Sequence, residues 1–169
     1  MTATETTSRT TRRSPNDFRV FQASDSLVHN LQRVLVDLIE LHLQGKQAHW
    51  NLVGTNFRDL HLQLDEIVDS AREAADTIAE RMRALDAVPD GRTDTVAATT
   101  SVPAAPAGLI GTTNIVDIIA DRIYATVDTA RTIHDEVDAV DPSTADLLHA
   151  IITDLEKHAW MLKSENGKA

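Results

Sequence analysis

Five side chains of the types that bind metal ions are concentrated in one stretch of the chain: His49, His61, Asp65, Asp76 and Glu80. Imidazole nitrogens combined with carboxylate oxygens suit iron, manganese or zinc, and the ligand types alone do not choose among these metals. The two histidines lie on either side of a short break in the helical pattern, whereas the last four residues lie on one long predicted helix. The stretch therefore predicts metal chemistry at a mixed histidine and carboxylate site.

The four ligands on this predicted helix share one face but lie at different heights. At about 100° per residue, Asp65 lies about 40° round the helix from His61. Asp76 lies about 60° and Glu80 about 100° round from the same histidine. Asp65 and Asp76 are nevertheless about 16 Å apart along the axis, whereas metal–ligand distances are about 2.0–2.6 Å. One chain therefore carries two half-sites.

The spacing of the half-sites is symmetric, which predicts how two chains would combine. His61 and Glu80 are equidistant from a point between residues 70 and 71, and so are Asp65 and Asp76. Two such helices packed antiparallel about a two-fold axis would place each half-site opposite the other half-site of the partner. Small side chains at the crossing would allow close approach: Ser70, Ala71, Ala74 and Ala75.

The composition favours an all-helical protein with a single folded domain. The chain has 169 residues, only 4% aromatic residues and no cysteine, which excludes disulfides and thiolate metal sites. Its net charge of −10 argues against nucleic-acid binding by the general surface and would attract cations. No apolar run approaches the roughly 18 residues of a membrane span, and the N-terminus lacks the apolar segment of a secretory signal. We therefore expect a cytoplasmic protein without a membrane partner.

The domain boundaries follow from composition. Residues 1–16 are rich in Thr, Ser and Arg, which predicts a disordered tail, and the alternative is a basic arm that touches DNA phosphates. Residues 17–165 are predicted to form the folded domain, and residues 166–169 a flexible C-terminus.

Four long helices are predicted from apolar residues at helical spacing. Their approximate bounds, in chain order, are 24–52, 57–88, 113–140 and 142–163. Asn56 is predicted to cap the second helix, and Asp141 the fourth, with Pro142 in its first turn. Leu43 is predicted to face the core, and Trp160 to pack in the core or at an interface.

The connections between these helices predict the topology. The first and third connections are short, so each joins antiparallel neighbours. The middle connection has about 25 residues, contains a short helix at roughly Thr93 to Thr100, and spans at most about 85 Å. It can therefore cross the full length of a 28-residue helix, about 42 Å. Two antiparallel pairs joined by one long crossover form a ferritin-like four-helix bundle.

The residues of this stretch and their spacing resemble a known family, the Dps proteins. These are bacterial mini-ferritins, also called DNA-binding proteins from starved cells. The resemblance covers about residues 24–163, and all five ligand positions coincide with the family's spacing. The matching residues are His49-Trp50-Asn51, Gly54, Phe57, Leu60-His61, Asp65, Asp76 and Glu80.

The resemblance implies a hollow dodecamer, built from two-fold dimers, that oxidises Fe(II) and stores ferric oxide inside the shell. Hydrogen peroxide is the preferred oxidant of the family. Each ferroxidase site holds two iron ions and is shared across the two-fold axis. By motif position, His49, His61 and Asp65 come from one subunit, and Asp76 and Glu80 come from its partner.

The resemblance also assigns residues outside the ligand set. Trp50 stands where the family keeps a tryptophan that packs beside the site and can quench oxidising intermediates. The family lines its three-fold pores with acidic residues near the start of the last helix, where Asp146 is the best match, Asp141 the next and Asp138 the third. The alternative is that Asp141 is only a cap and Asp146 a solvated acid that interacts with the helix dipole.

Three functions remain open from the sequence. The first is an iron-oxidising, iron-storing enzyme shell that protects against oxidative damage, and the second is an architectural DNA-protecting protein. The third is a helical scaffold with a purely structural metal. DNA-binding members of the family usually carry a lysine-rich tail, and residues 1–16 contain no lysine. Other histidines are predicted to be structural: His29, His42, His134, His149 and His158.

Overall fold

The computed structural model describes residues 21–167, so the predicted tail over residues 1–16 and the last two residues of the predicted C-terminal segment lie outside the described residues. Helices dominate the described range. In chain order the elements are α1 (Asp25–Asn51), β1 (Leu52–Val53), α2 (Phe57–Ala84), α3 (Thr93–Thr99), β2 (Ile110–Gly111), α4 (Thr112–Val140) and α5 (Pro142–Ser164). No described helix combines the length and the apolarity that a membrane crossing needs.

Among the described helices, only α1 begins with a side-chain N-cap hydrogen bond. Ser24 caps α1, because its hydroxyl accepts a hydrogen bond from the Leu27 amide at 3.3 Å. Asn56 occupies the cap position of α2, but it adopts a left-handed conformation with φ 62° and makes no side-chain cap bond. Its side-chain amide instead donates to the Glu165 carboxylate beyond the end of α5. The predicted capping role of Asn56 is therefore wrong.

The four long helices form the predicted bundle. α1 packs against α2 and α4, and α5 packs against α4 and α2, while the segment with α3 crosses between the two pairs. Apolar residues at helical spacing on all four helices are buried at the centre, which confirms the all-α, ferritin-like arrangement. Leu43 differs from prediction, because it is 45% exposed. Trp160 is 66% exposed in the chain and therefore lies outside the core, so its packing at an interface stays a prediction.

A short parallel strand pair fixes the end of the crossover, and the sequence did not predict it. Leu52 pairs with Ile110, and Val53 pairs with Gly111. The strand pair brings the start of α4 against the loop after α1. Gly54 has φ 131° there, and a Cβ atom on it would lie 2.8 Å from Thr112 Oγ1, so the turn requires glycine.

A buried ion pair links α2 to the start of α5. Arg81 donates from Nη2 to Asp141 Oδ2 at 2.7 Å and from Nε to Thr144 Oγ1 at 2.8 Å. Thr144 also donates its hydroxyl to the same carboxylate. Burial alone would raise the pKa of Asp141, but the hydrogen bonds from Thr144 and Arg81 outweigh it and lower the pKa. Asp141 stands at the cap position as predicted, but its carboxylate binds side chains rather than a cap amide.

Asp141→Asn is expected to lower stability by about 1–3 kcal/mol at neutral pH, because a hydrogen-bonded charge is lost beside a partly buried guanidinium. The Asp141 pKa is lower in the folded state than in the unfolded state. The stabilisation of the fold by ionised Asp141 is therefore fully present above the ordinary aspartate pKa of about 3.9. It is lost as pH falls through the pKa of Asp141 in the folded state. Chemical unfolding from neutral pH to about pH 3 should show the two proteins converging. A stability difference that stayed constant over this range would contradict the assignment.

Candidate metal centre

His49 and His61 meet where α1 ends and α2 begins. Their rings stack with centroids 3.6 Å apart, and the Phe57 ring also stacks with His61, with centroids 5.2 Å apart. Gly45 lets the two helices approach closely one turn earlier, since a Cβ atom there would lie 2.9 Å from Val68 Cγ2. The structure therefore brings the two predicted histidine ligands together.

Reciprocal hydrogen bonds fix the orientation of both rings. His49 Nδ1 lies 2.9 Å from the His61 carbonyl oxygen, and His61 Nδ1 lies 3.0 Å from the His49 carbonyl oxygen. A carbonyl only accepts, so each Nδ1 carries the hydrogen and donates it. Each neutral ring then keeps its lone pair on Nε2, the arrangement that histidine ligands of metal ions ordinarily have.

Asp65 lies beside this histidine pair and is held by a lysine. Lys46 Nζ lies 2.5 Å from Asp65 Oδ1, and His49 Nδ1 lies 3.1 Å from the same oxygen. The Lys46 ammonium is the largest influence that lowers the pKa of Asp65, so the carboxylate is ionised at neutral pH. Lys46 was not among the predicted site residues, although it stands three residues before His49 on the same helical face.

Asp76 and Glu80 lie further along α2, away from the histidine pair. Both are exposed in the chain, and Asp76 lines a groove of about 630 Å³ between α1 and α2. His42 and Arg72 line the same groove, and burial lowers the His42 pKa. Within residues 21–167 of one chain, no three histidine or acidic side chains converge as a metal site. The structure thus brings His49 close to His61 and Asp65. It leaves the other two predicted ligands, Asp76 and Glu80, away from these three residues.

The predicted site residues outside the ligand set differ in how exposed their side chains are. Trp50 is 67% exposed, so it is not a core residue of the single chain. Asp146 is also largely exposed, with Oδ1 4.0 Å from His149 Nδ1. Asp141 is buried and paired with Arg81 in the chain, and its place in an ion-entry pore stays a prediction.

Comparison with known proteins shows which family this chain is similar to. A family model described as a ferritin-like domain matches residues 28–169. A DNA protection during starvation protein 2 from Deinococcus radiodurans is 35% identical over 81% of this chain, which spans only 57% of that relative. A DNA protection during starvation protein from Agrobacterium fabrum is 33% identical over 91% of this chain and 95% of its own.

Solved structures agree with these relatives. Dps from Microbacterium arborescens, solved in a high iron form, superposes on this chain with a TM-score of 0.81 at 32% identity. The superposition covers 88% of this chain and all of the other chain.

Proposed function

Because the chain belongs to the Dps family of ferritin-like proteins, we propose that it is a ferroxidase that binds Fe(II) at sites shared between two subunits. The site oxidises Fe(II) with hydrogen peroxide or oxygen, and the ferric product is stored in a hollow shell. The assembly is a dodecamer of two-fold dimers that limits oxidative damage in the bacterial cytoplasm.

The observation that carries this proposal is the reciprocal hydrogen bonding of His49 and His61. It leaves a lone pair on the Nε2 of each ring, and the ionised Asp65 lies next to this pair, with Oδ1 3.1 Å from His49 Nδ1. Both contacts to Asp65 use Oδ1, so Oδ2 is the oxygen that we expect to bind iron. Two imidazoles and one carboxylate are a ligand set that suits Fe(II).

The partner subunit completes the site in this proposal. An antiparallel two-fold crossing of two α2 helices would carry the partner's Asp76 and the partner's Glu80 to the histidine pair. Their exposure in the single chain supports this, because ligands for a second subunit must be free of internal partners. Trp50, also exposed and next to His49, would then pack beside the completed site.

The shared site would bind two Fe(II) ions, each of which gives up one electron. Hydrogen peroxide accepts both electrons and two protons and becomes two water molecules, so no hydroxyl radical leaves the site. The protein supplies geometry and negative charge, and the metal supplies the redox chemistry. Asp146 is the acid that we propose for a pore that admits Fe(II), since it is exposed near the start of α5.

Stopped-flow mixing of anaerobic, Fe(II)-loaded protein with hydrogen peroxide tests the proposal. We expect oxidation much faster than in protein-free buffer, and a ferric product that stays with the protein during gel filtration. A rate equal to that of buffer would exclude ferroxidase activity and leave a structural metal site.

DNA protection is a second candidate function, because relatives at 33–35% identity carry that name. Binding would be electrostatic and would weaken steeply with salt. A mobility-shift titration of the full chain, with and without residues 1–14, tests it. DNA left unshifted by the full chain at low salt would exclude this function.

A further inference from the structure

A second histidine pair lies away from the proposed iron site, between α4 and α5. His134 is near the end of α4 and His149 is in the second turn of α5, so the tight turn at residue 141 places them at one level. Their rings stack with centroids 4.2 Å apart and planes at 27°. This arrangement resembles the His49–His61 pair, whose planes meet at 23°.

The ring nitrogens of this pair have unequal partners. His134 Nδ1 lies 3.3 Å from Asp135 Oδ1, and His149 Nδ1 lies 4.0 Å from Asp146 Oδ1. A carboxylate beside Nδ1 favours the tautomer with hydrogen on that nitrogen and the lone pair on Nε2. His134 Nε2 is buried and has no hydrogen-bond partner among the described residues. A buried nitrogen without a partner is unfavourable, and a bound cation would relieve it.

The surroundings can admit a cation and hold it. A cleft of about 390 Å³ is lined by both histidines together with Arg131, Asp135 and Glu156. Arg131 is neutralised, since its Nη2 and Nε donate to Glu156 Oε1 at 2.5 Å and 3.0 Å. Asp135 lines the cleft and Asp146 lies beside His149 outside the lining, so the two carboxylates give the surroundings a negative balance, which favours cations.

The two rings differ in exposure, and the more exposed ring has room to turn toward an ion. The His134 side chain is 18% exposed and is held in the helix pair, whereas the His149 side chain is 62% exposed. Stacked rings direct their lone pairs side by side, so one ring must turn before both nitrogens reach one ion. The exposed His149 is free to make that turn.

We propose that His134 and His149 form a second metal site, which binds a divalent transition metal ion that prefers imidazole, such as Zn²⁺, Co²⁺, Ni²⁺ or Cu²⁺. Both protein ligands come from one chain, and water completes the coordination. No third histidine or acidic ligand converges with them among residues 21–167, so the two imidazoles are the only protein ligands of the proposed site in that range. It is independent of the proposed ferroxidase function.

Equilibrium dialysis of metal-free, full-length protein against Co²⁺ tests this site, with His149→Ala as the variant. His149 is exposed, so its replacement should leave the fold intact. The matched control is His29→Ala, another exposed histidine, which lies in the first turns of α1. We expect His149→Ala to lose one Co²⁺ per chain, or to bind that ion at least about tenfold more weakly, with Fe(II) oxidation unchanged.

A chemical footprint locates the bound ion. Zn²⁺ should protect His149 of the native chain from modification by diethyl pyrocarbonate, read by mass spectrometry, while His29 remains reactive. Equal Co²⁺ binding by the native chain and His149→Ala would overturn the proposal. An equal loss in His149→Ala and His29→Ala would also overturn it, because the ions would then bind surface histidines without a defined site.

Discussion

Asp65→Ala is expected to slow peroxide-driven Fe(II) oxidation by on the order of 100-fold or more, because even an outer partner of a metal ligand is typically worth about 10–100-fold. Asp65 is the ionised carboxylate beside the histidine pair, and the substitution removes a proposed iron ligand. It also releases Lys46, whose ammonium would then face the iron ions without its counter-charge. Stopped-flow absorbance of ferric product measures the rate.

The control is Glu66→Ala, the neighbouring acid on α2. Glu66 is exposed and lines a different groove, with Leu62 and Trp160. This variant loses the same charge but no proposed ligand, so it should oxidise Fe(II) at nearly the native rate. An equal fall in both variants would mean that general negative charge, rather than a ligand at Asp65, sets the rate.

Asp37→Ala is expected to cause the largest loss of stability, about 3–5 kcal/mol, because it leaves four hydrogen-bond donors without their buried acceptor. Asp37 lies in the middle of α1 and is only 1% exposed. Its Oδ1 accepts from Thr100 Oγ1 and the Ser101 amide, both at 2.7 Å. Its Oδ2 accepts from Ser101 Oγ at 2.6 Å and Thr129 Oγ1 at 2.7 Å. One carboxylate thus joins α1, the crossover after α3, and α4.

Denaturant unfolding at one fixed protein concentration measures this loss, since assembly contributes to apparent stability. Asp128→Ala is the control, because Asp128 is exposed on α4 next to Thr129. Asp37→Asn should fall between the native protein and Asp37→Ala, as the amide keeps one acceptor but turns hydrogens toward a donor. If Asp37→Ala and Asp128→Ala unfolded at the same denaturant midpoint, the hydrogen bonds of Asp37 would contribute nothing to stability.

Helical periodicity predicted the fold well, because apolar spacing reports directly on which face of a helix is buried. The bounds of α4 and α5 differ from prediction by one residue at most, and α3 (Thr93–Thr99) ends one residue before the end of the predicted helix at roughly Thr93 to Thr100. The pattern failed where burial depends on tertiary neighbours. Leu43 continues the apolar stripe of α1 yet is exposed, whereas the charged Asp37 interrupts it and is buried.

Ligand spacing predicted which residues meet within the chain, but not how they are held. The approach of His49 to His61 followed from a short loop between antiparallel helices. The reciprocal carbonyl bonds, the Lys46 contact to Asp65 and the β1–β2 pair all depend on atomic positions that spacing does not encode. Two-fold symmetry assigns Asp76 and Glu80 to the site of the partner subunit. This assignment remains a proposal, because the structure describes one chain.

Co-assembly of two inactive variants tests this shared site most directly. Asp65→Ala and Glu80→Ala chains, mixed equally, unfolded and reassembled, should recover about one quarter of the native oxidation rate, because half of the dimers are mixed and one of their two sites is intact. Asp65→Ala mixed with His61→Ala should recover nothing, since both lesions lie in the same half-site. If the mixture of Asp65→Ala and Glu80→Ala chains oxidised Fe(II) as slowly as either variant alone, this result would contradict a site shared across the two-fold axis.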